Sequence, residues 1–263
     1  MPVSTEADSV RTERNSEAPW DSFDSLAYFE HNYRTLRSDD RQILARVGAH
    51  FSAHFAEFPA KQLHGIDVGA GTNLYPALAM LPWCETITLF ERSAGNVEWL
   101  GRAKAEGFGA NWQPFWDVLT VNEPYDLFPD PRAAFSRVAD VRQGDLFGGL
   151  PGSGYGIGTM FFVAESLSTE YGEFQDAVSA FAGSLAPGAP FAAAFMENSL
   201  GYEVGDLRFP ACRIEAEHVT HSLEPFAAEG MKVERIDIPA ELLLRDGYTG
   251  MLLALGRRSD GTG

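Results

Sequence analysis

The chain has little cysteine, little positive charge and no long apolar run. Cys84 and Cys212 stand far apart among 263 residues, with neither a CxxC pair nor a Cys/His ligand spacing nearby, so no disulfide framework and no metal site is expected. Lys and Arg total 20 against 37 Asp and Glu, a net charge of −17 that repels a phosphate backbone and argues against a nucleic-acid partner. The longest apolar stretches, Thr159 to Ala164 and Phe191 to Met196, fall far short of the ~20 residues of a membrane span. Residues 1–19 mix Ser, Thr, Glu, Asp and Arg without an apolar h-region and read as a disordered tail, not a signal peptide. The expectation is a cytoplasmic protein, monomer or homodimer, acting on a small molecule.

What is present suits a globular enzyme. Hydrophobic residues make up 45% and aromatics 12%, enough for one large core or two small ones. Trp20, Phe23, Tyr28, Phe29 and Tyr33 open the ordered part, and residues 20–60 read as a helical lid. Its main helix starts at Ser38 as cap, with Asp39 and Asp40 in the positive first turn, apolar positions at Ile43, Leu44, Val47, Phe51 and Phe55, and a stop before Pro59.

Residues 61–258 alternate short apolar strands with helical periods. The strands are Gly65–Gly69, Thr86–Glu91, Ala139–Gln143, Ile157–Ala164, Phe191–Met196, Lys232–Ile238 and Met251–Leu255; the helices are Val97–Ala105, Pro131–Val138 and Gly172–Leu185. This predicts an α/β fold, a seven-stranded and mostly parallel sheet with helices on both faces. Asn111–Phe128, rich in Trp and Pro, and a cap at about 199–222 interrupt the rhythm as candidate substrate lids. Residues 259–263 read as a second tail.

The informative motif is Gly65-Ile-Asp-Val-Gly-Ala-Gly-Thr-Asn73. Gly69 and Gly71 let backbone amides approach a ligand, and the following helix offers its positive end to an anion. The third glycine of GxGxxG and the GK[ST] of a phosphate loop are missing, and Asp67 precedes the turn. Glu91 follows Gly71 by 20 residues at a strand end, where a carboxylate can accept from both hydroxyls of a ribose. Asp145 follows the next strand, within reach of an adenine amine. An ordinary strand-to-helix turn, an NAD-linked oxidoreductase and a non-catalytic nucleoside-binding protein remain alternatives.

Asp67-Val-Gly-Ala-Gly71, Glu91 and Asp145 together resemble the S-adenosylmethionine site of Rossmann-like class I methyltransferases. Tyr28-Phe-Glu-His-Asn-Tyr33, Asn73-Leu-Tyr75, Val163-Ala-Glu-Ser166, Phe195-Met-Glu197 and Gly201 to Pro210 sharpen this to the small-molecule amine methyltransferases acting on nicotinamide, phenylethanolamine and thioethers. The resemblance implies S-adenosyl-L-methionine as cofactor, with Tyr33 and Tyr75 at its carboxylate and Gly69 at its methionine backbone. It implies Glu91 at the ribose, and Asn96, Asp145 and Leu146 at the adenine. Glu165 and Glu197 would face the acceptor, with Tyr28 and Tyr202 lining its site; the chain departs from the family pattern by the Asn111–Phe128 insert and by His218 and His221, which are the candidates for a base and a further acceptor contact. The plain readings are a solvated loop acid for Glu165 and helix-capping or surface roles for the two histidines. The implied acceptor is a small aromatic or heterocyclic amine. An indole methylated at C3 to give a pyrroloindoline is favoured, since some bacterial relatives do this; N-methylation of a simple amine or pyridine is the alternative.

Overall fold

A computed structural model of the chain describes residues 12–239, 243–244 and 247–260. Strands β1 (Leu63–Val68), β2 (Cys84–Glu91), β3 (Ala139–Gln143), β4 (Ile157–Phe161) and β5 (Pro190–Glu197) run parallel. A hairpin of β6 (Tyr202–Val204) and β7 (Leu207–Phe209) stands apart from them, while β8 (Lys232–Ile236) and β9 (Gly250–Arg257) complete the large sheet. Its order is β3-β2-β1-β4-β5-β9-β8, with β9 antiparallel to both neighbours. The chain therefore leaves the β3 edge and returns beside β1. That reversal opens a crevice beyond the carboxyl ends of β1 and β4, the place where open α/β sheets bind ligands.

The strand β5 shows how one sequence serves two helical layers. Its eight residues are all buried, and successive side chains face opposite layers. Ala192, Ala194 and Met196 face the layer of α2 (Ser38–Glu57), whose Ile43, Val47, Phe51 and Phe55 recur every fourth residue. Phe191 and Phe195 face α7 (Tyr171–Ser184), their rings 6.3 and 5.7 Å from Phe181 and Phe174. Alanine on one side lets a helix come close; phenylalanine on the other fills the wider gap.

Three expectations are corrected. Residues 12–19 do not behave as tail: Asn15 is buried, and the backbone amides of Glu13 and Asn15 donate to Thr169 Oγ1 and Glu173 Oε2, each at 2.9 Å. Polar composition looked like a solvated tail because the partners lie more than 150 positions away; residues 1–11 and 261–263 lie outside the described residues. The segment from Asn111 to Phe128 forms core, not a lid. Trp112, Phe115, Trp116, Leu119 and Tyr125 are buried, α5 (Gln113–Leu119) lies on α2, and the Tyr125 hydroxyl donates to the Ala79 carbonyl at 2.6 Å. Finally, α2 takes Arg37 as its N-cap, without a side-chain cap bond, so Ser38 is its first turn and not its cap.

Truncating Trp112 separates core from lid. Trp112→Ala is expected to cost about 3–5 kcal/mol, the usual loss for a buried large aromatic, read as a lower urea midpoint. A lid residue would leave the midpoint unmoved.

Candidate functional site

The glycine loop fills the crevice. After β1 the chain turns at Gly69 (φ +68°) and Gly71 (φ +56°), conformations that L side chains adopt only with strain. A Cβ on Gly69 would also lie 2.4 Å from Val163 Cγ2, so β-carbon-free backbone is required there twice over. Glu91, ending β2, holds the loop from the side. Its Oε2 accepts the Gly71 amide at 2.9 Å, while Oε1 accepts the Ser93 amide at 2.7 Å and the Asn96 side-chain amide at 3.4 Å. Burial raises the Glu91 pKa, and these donors oppose the rise.

Around this loop lies a cavity of about 770 Å³, part of it open to solvent. Its floor is Gly69, Gly71, Thr72 and Asn73; Glu91 and Asn96 stand on one side, with Asp145 and Leu146 beyond them. Tyr28, Tyr33 and Tyr202 wall the other side. Each of these positions except Thr72 and Asn73 was expected at the site individually.

Three more contributors were not foreseen. Arg92 pairs with the Asp145 carboxylate, and the Asn15 side-chain amide reaches both Asp145 oxygens at 3.4 Å. Phe162 lines the cavity with a positive φ of 61°, a strained setting for a bulky residue; its amide donates to the Ala194 carbonyl at 2.7 Å. The apolar run predicted as strand through Ala164 therefore ends at Phe161.

Four polar side-chain atoms of the lining are buried without a hydrogen-bond partner among the described residues: Asn15 Oδ1, Thr72 Oγ1, Asn73 Nδ2 and Asn96 Oδ1. Native structures rarely leave such groups unpaired, so this set suits a ligand carrying several hydroxyl, amine and carboxylate groups. The donor and acceptor mix, the buried Glu91 and the Cβ-free turn fit an adenosyl amino acid.

Other expected site residues lie elsewhere. Tyr75 is wholly buried behind the loop in α3 (Tyr75–Leu78), its hydroxyl donating to Asp40 Oδ1 at 3.0 Å instead of reaching the cavity. Glu165 is also buried outside it: Oε1 accepts the Met196 amide at 2.8 Å, tying the turn after β4 to β5. Glu197 is clamped by Arg235 Nε at 2.8 Å and by the Thr249 hydroxyl at 2.7 Å, an edge contact of β5, β8 and β9. His218 closes a capping box on α8 (Ala216–Leu223), its Nδ1 accepting the Glu215 amide at 3.0 Å, and His221 is exposed on the same helix. Glu165, Glu197 and His218 thus each have a polar atom held by a tertiary or capping partner, and none of these three, nor His221, lines the glycine-loop cavity. Asp67 sits under the loop, with Oδ1 accepting the Thr159 hydroxyl at 2.8 Å.

Beside the main cavity is a second, much narrower chamber, and the two share Tyr28, Tyr33, Phe162, Ser166 and Tyr202. No helix among the described residues is long and apolar enough to cross a membrane, and no group of metal-ligating residues occurs among them.

The model of the NNMT/PNMT/TEMT family matches residues 13–246. Among solved structures, an S-adenosylmethionine-dependent methyltransferase from Clostridium acetobutylicum superposes with a TM-score of 0.54 at 10% identity, covering 90% of this chain and 100% of that one. A methyltransferase of the same cofactor dependence from Methanosarcina mazei gives a TM-score of 0.53 at 10% identity, over 78% of this chain and 96% of that one. Comparison with curated proteins gave no match.

Asp67 yields a pH test. Burial holds its pKa up at about 8 against an ordinary 3.8. The unfolded chain therefore sheds this proton first, and the stability attached to it is complete below about pH 4, declines as pH rises, and is gone above about pH 8. Asp67→Asn cannot ionise, so its urea midpoint relative to wild type is expected to climb across that window. A pH-independent difference between the two proteins contradicts the assignment.

Proposed function

The chain belongs to the NNMT/PNMT/TEMT family of S-adenosylmethionine-dependent methyltransferases, and from that premise we propose that it methylates a small aromatic or heterocyclic amine, an indole by preference. The observation that carries the acceptor class is the aromatic wall of Tyr28, Tyr33, Phe162 and Tyr202, set between the glycine-loop cavity and the second chamber. Flat apolar faces with few polar groups select a planar ring, and ring faces also tolerate positive charge on a sulfonium or a methylated amine.

S-adenosylmethionine supplies a methyl carbon already activated by a sulfonium, so little proton chemistry is compulsory. The chain's work is alignment and exclusion of water. In this reading Glu91 takes the ribose hydroxyls, and Asn96, Asp145 and Leu146 bound the adenine. Thr72 and Asn73, beside Tyr33, take the methionine carboxylate in place of Tyr75. Trp20 and Phe23, packed on Phe209 of the hairpin at 5.2 Å each, roof the cavity and keep it dry. An indole attacking through C3 becomes cationic at nitrogen, and trapping by an internal amine would close a pyrroloindoline.

The test is a labelled-methyl screen over tryptophan-derived cyclic dipeptides, tryptamine, simple amines and pyridines, with the methylated atom located by NMR. Transfer to indole C3 is expected; transfer to a pyridine or amine nitrogen alone replaces the indole reading. Gly69→Ala is expected to weaken S-adenosylhomocysteine binding by roughly tenfold or more in titration calorimetry, a loss of about 1.4 kcal/mol. Unchanged affinity would remove the loop from the site.

A further inference from the structure

The second chamber holds a carboxylate that the family-based assignments leave without a function. Asp40, in the first turn of α2, is buried yet lines this chamber, next to the aromatic wall shared with the main cavity. The Tyr75 hydroxyl holds its Oδ1 at 3.0 Å and fixes its direction. Two other charged groups stand close on the same helix and its cap. Arg37 Nε lies 3.5 Å from Asp39 Oδ1 and also acts on Asp40 through space, so the two acids share the one cation that lines the chamber among the described residues.

We propose that Asp40 is the acceptor-binding carboxylate, recognising an N–H or ammonium group of the substrate in the second chamber and taking its proton after methyl transfer. The proposal rests on the methyltransferase reading and deepens it. In the indole case the C2–C3 π pair forms the new bond from C3 to the methyl carbon, the C–S pair stays on sulfur as a neutral thioether, and the N–H proton of the resulting cationic ring passes to the Asp40 carboxylate. Glu165 and Glu197, bound to Met196 and to Arg235, are not placed to do this.

The titration of Asp40 suits the task. Burial and the neighbouring Asp39 charge raise its pKa to about 7, while the Tyr75 bond and Arg37 pull it down. Tyr33 stands edge-on to Tyr75 at 6.2 Å, so the tyrosine that tunes Asp40 is itself set by the aromatic wall. A group titrating near neutrality accepts a proton and returns it at modest cost.

The experiment uses the full chain saturated with S-adenosylhomocysteine and compares tryptamine with indole-3-propionate as cationic and anionic probes of one shape. Wild type is expected to bind tryptamine roughly tenfold more tightly than the anion above about pH 8, and Asp40→Asn to lose that preference. S-adenosylhomocysteine affinity should stay within about twofold in the variant. Preference retained in Asp40→Asn, preference for the anion, or no tryptamine binding by wild type overturns the proposal. Tyr75→Phe, which keeps the carboxylate but removes the bond that lowers its pKa, should move the inflection of tryptamine affinity to higher pH; an unmoved inflection counts against Asp40. Failure of wild type to bind S-adenosylhomocysteine would instead sink the methyltransferase reading.

Discussion

One buried carboxylate joins the parts of this site. Glu91 accepts from the amides of Gly71 and Ser93 and from the side chain of Asn96, so the end of β2, the glycine loop and the start of α4 (Ala94–Glu106) are bound through two oxygens. Charge-assisted bonds of this kind are strong because burial removes competing water, and burial also makes them obligatory. The loop's left-handed glycines would otherwise be free to wander. Fixed from the side, they present a rigid floor to a ligand. The order of the sheet does the rest, since the β3 edge and the return to β4 leave space above that floor.

The same logic divides what the sequence disclosed from what it hid. The glycine loop, Glu91 and Asp145 were legible because strand, turn and acid follow one another at short spacing, and local backbone geometry dictates where each must point. The alternation of strands and helices was legible for a similar reason; period alone carries it. Glu165 and Glu197 were not. Their position at strand ends suggests a site, but their partners, Met196 and Arg235, are set by packing 31 and 38 positions away. Asp40 was hidden in the opposite sense. An acid in a helix's first turn is explained by the helix dipole, and nothing in the sequence tells that this one faces a chamber.

Aromatic content misled in its own way. Trp112, Phe115 and Trp116 sit among prolines and acids, a composition typical of a surface insertion, yet they are buried against α2. Trp20, Phe23 and Tyr28 look much the same in sequence and do reach the cavity. Packing alone separates the two groups: the first meets a helix face with its own aromatic partners, and the second packs on the β6–β7 hairpin around Phe209 while still lining the cavity.

Asp145 enters ligand binding already engaged, by Arg92, by the Phe147 amide and by Asn15 from the far end of the chain. If the adenine amine reaches this acid as proposed, it must evict or share with the incumbents. The heat released at that end of the cavity is then the difference between two partnerships, smaller than a count of new contacts suggests. On the proposed reading the N-terminal stretch acts as a stand-in guest, and a base reaching Asp145 would have to outcompete an asparagine.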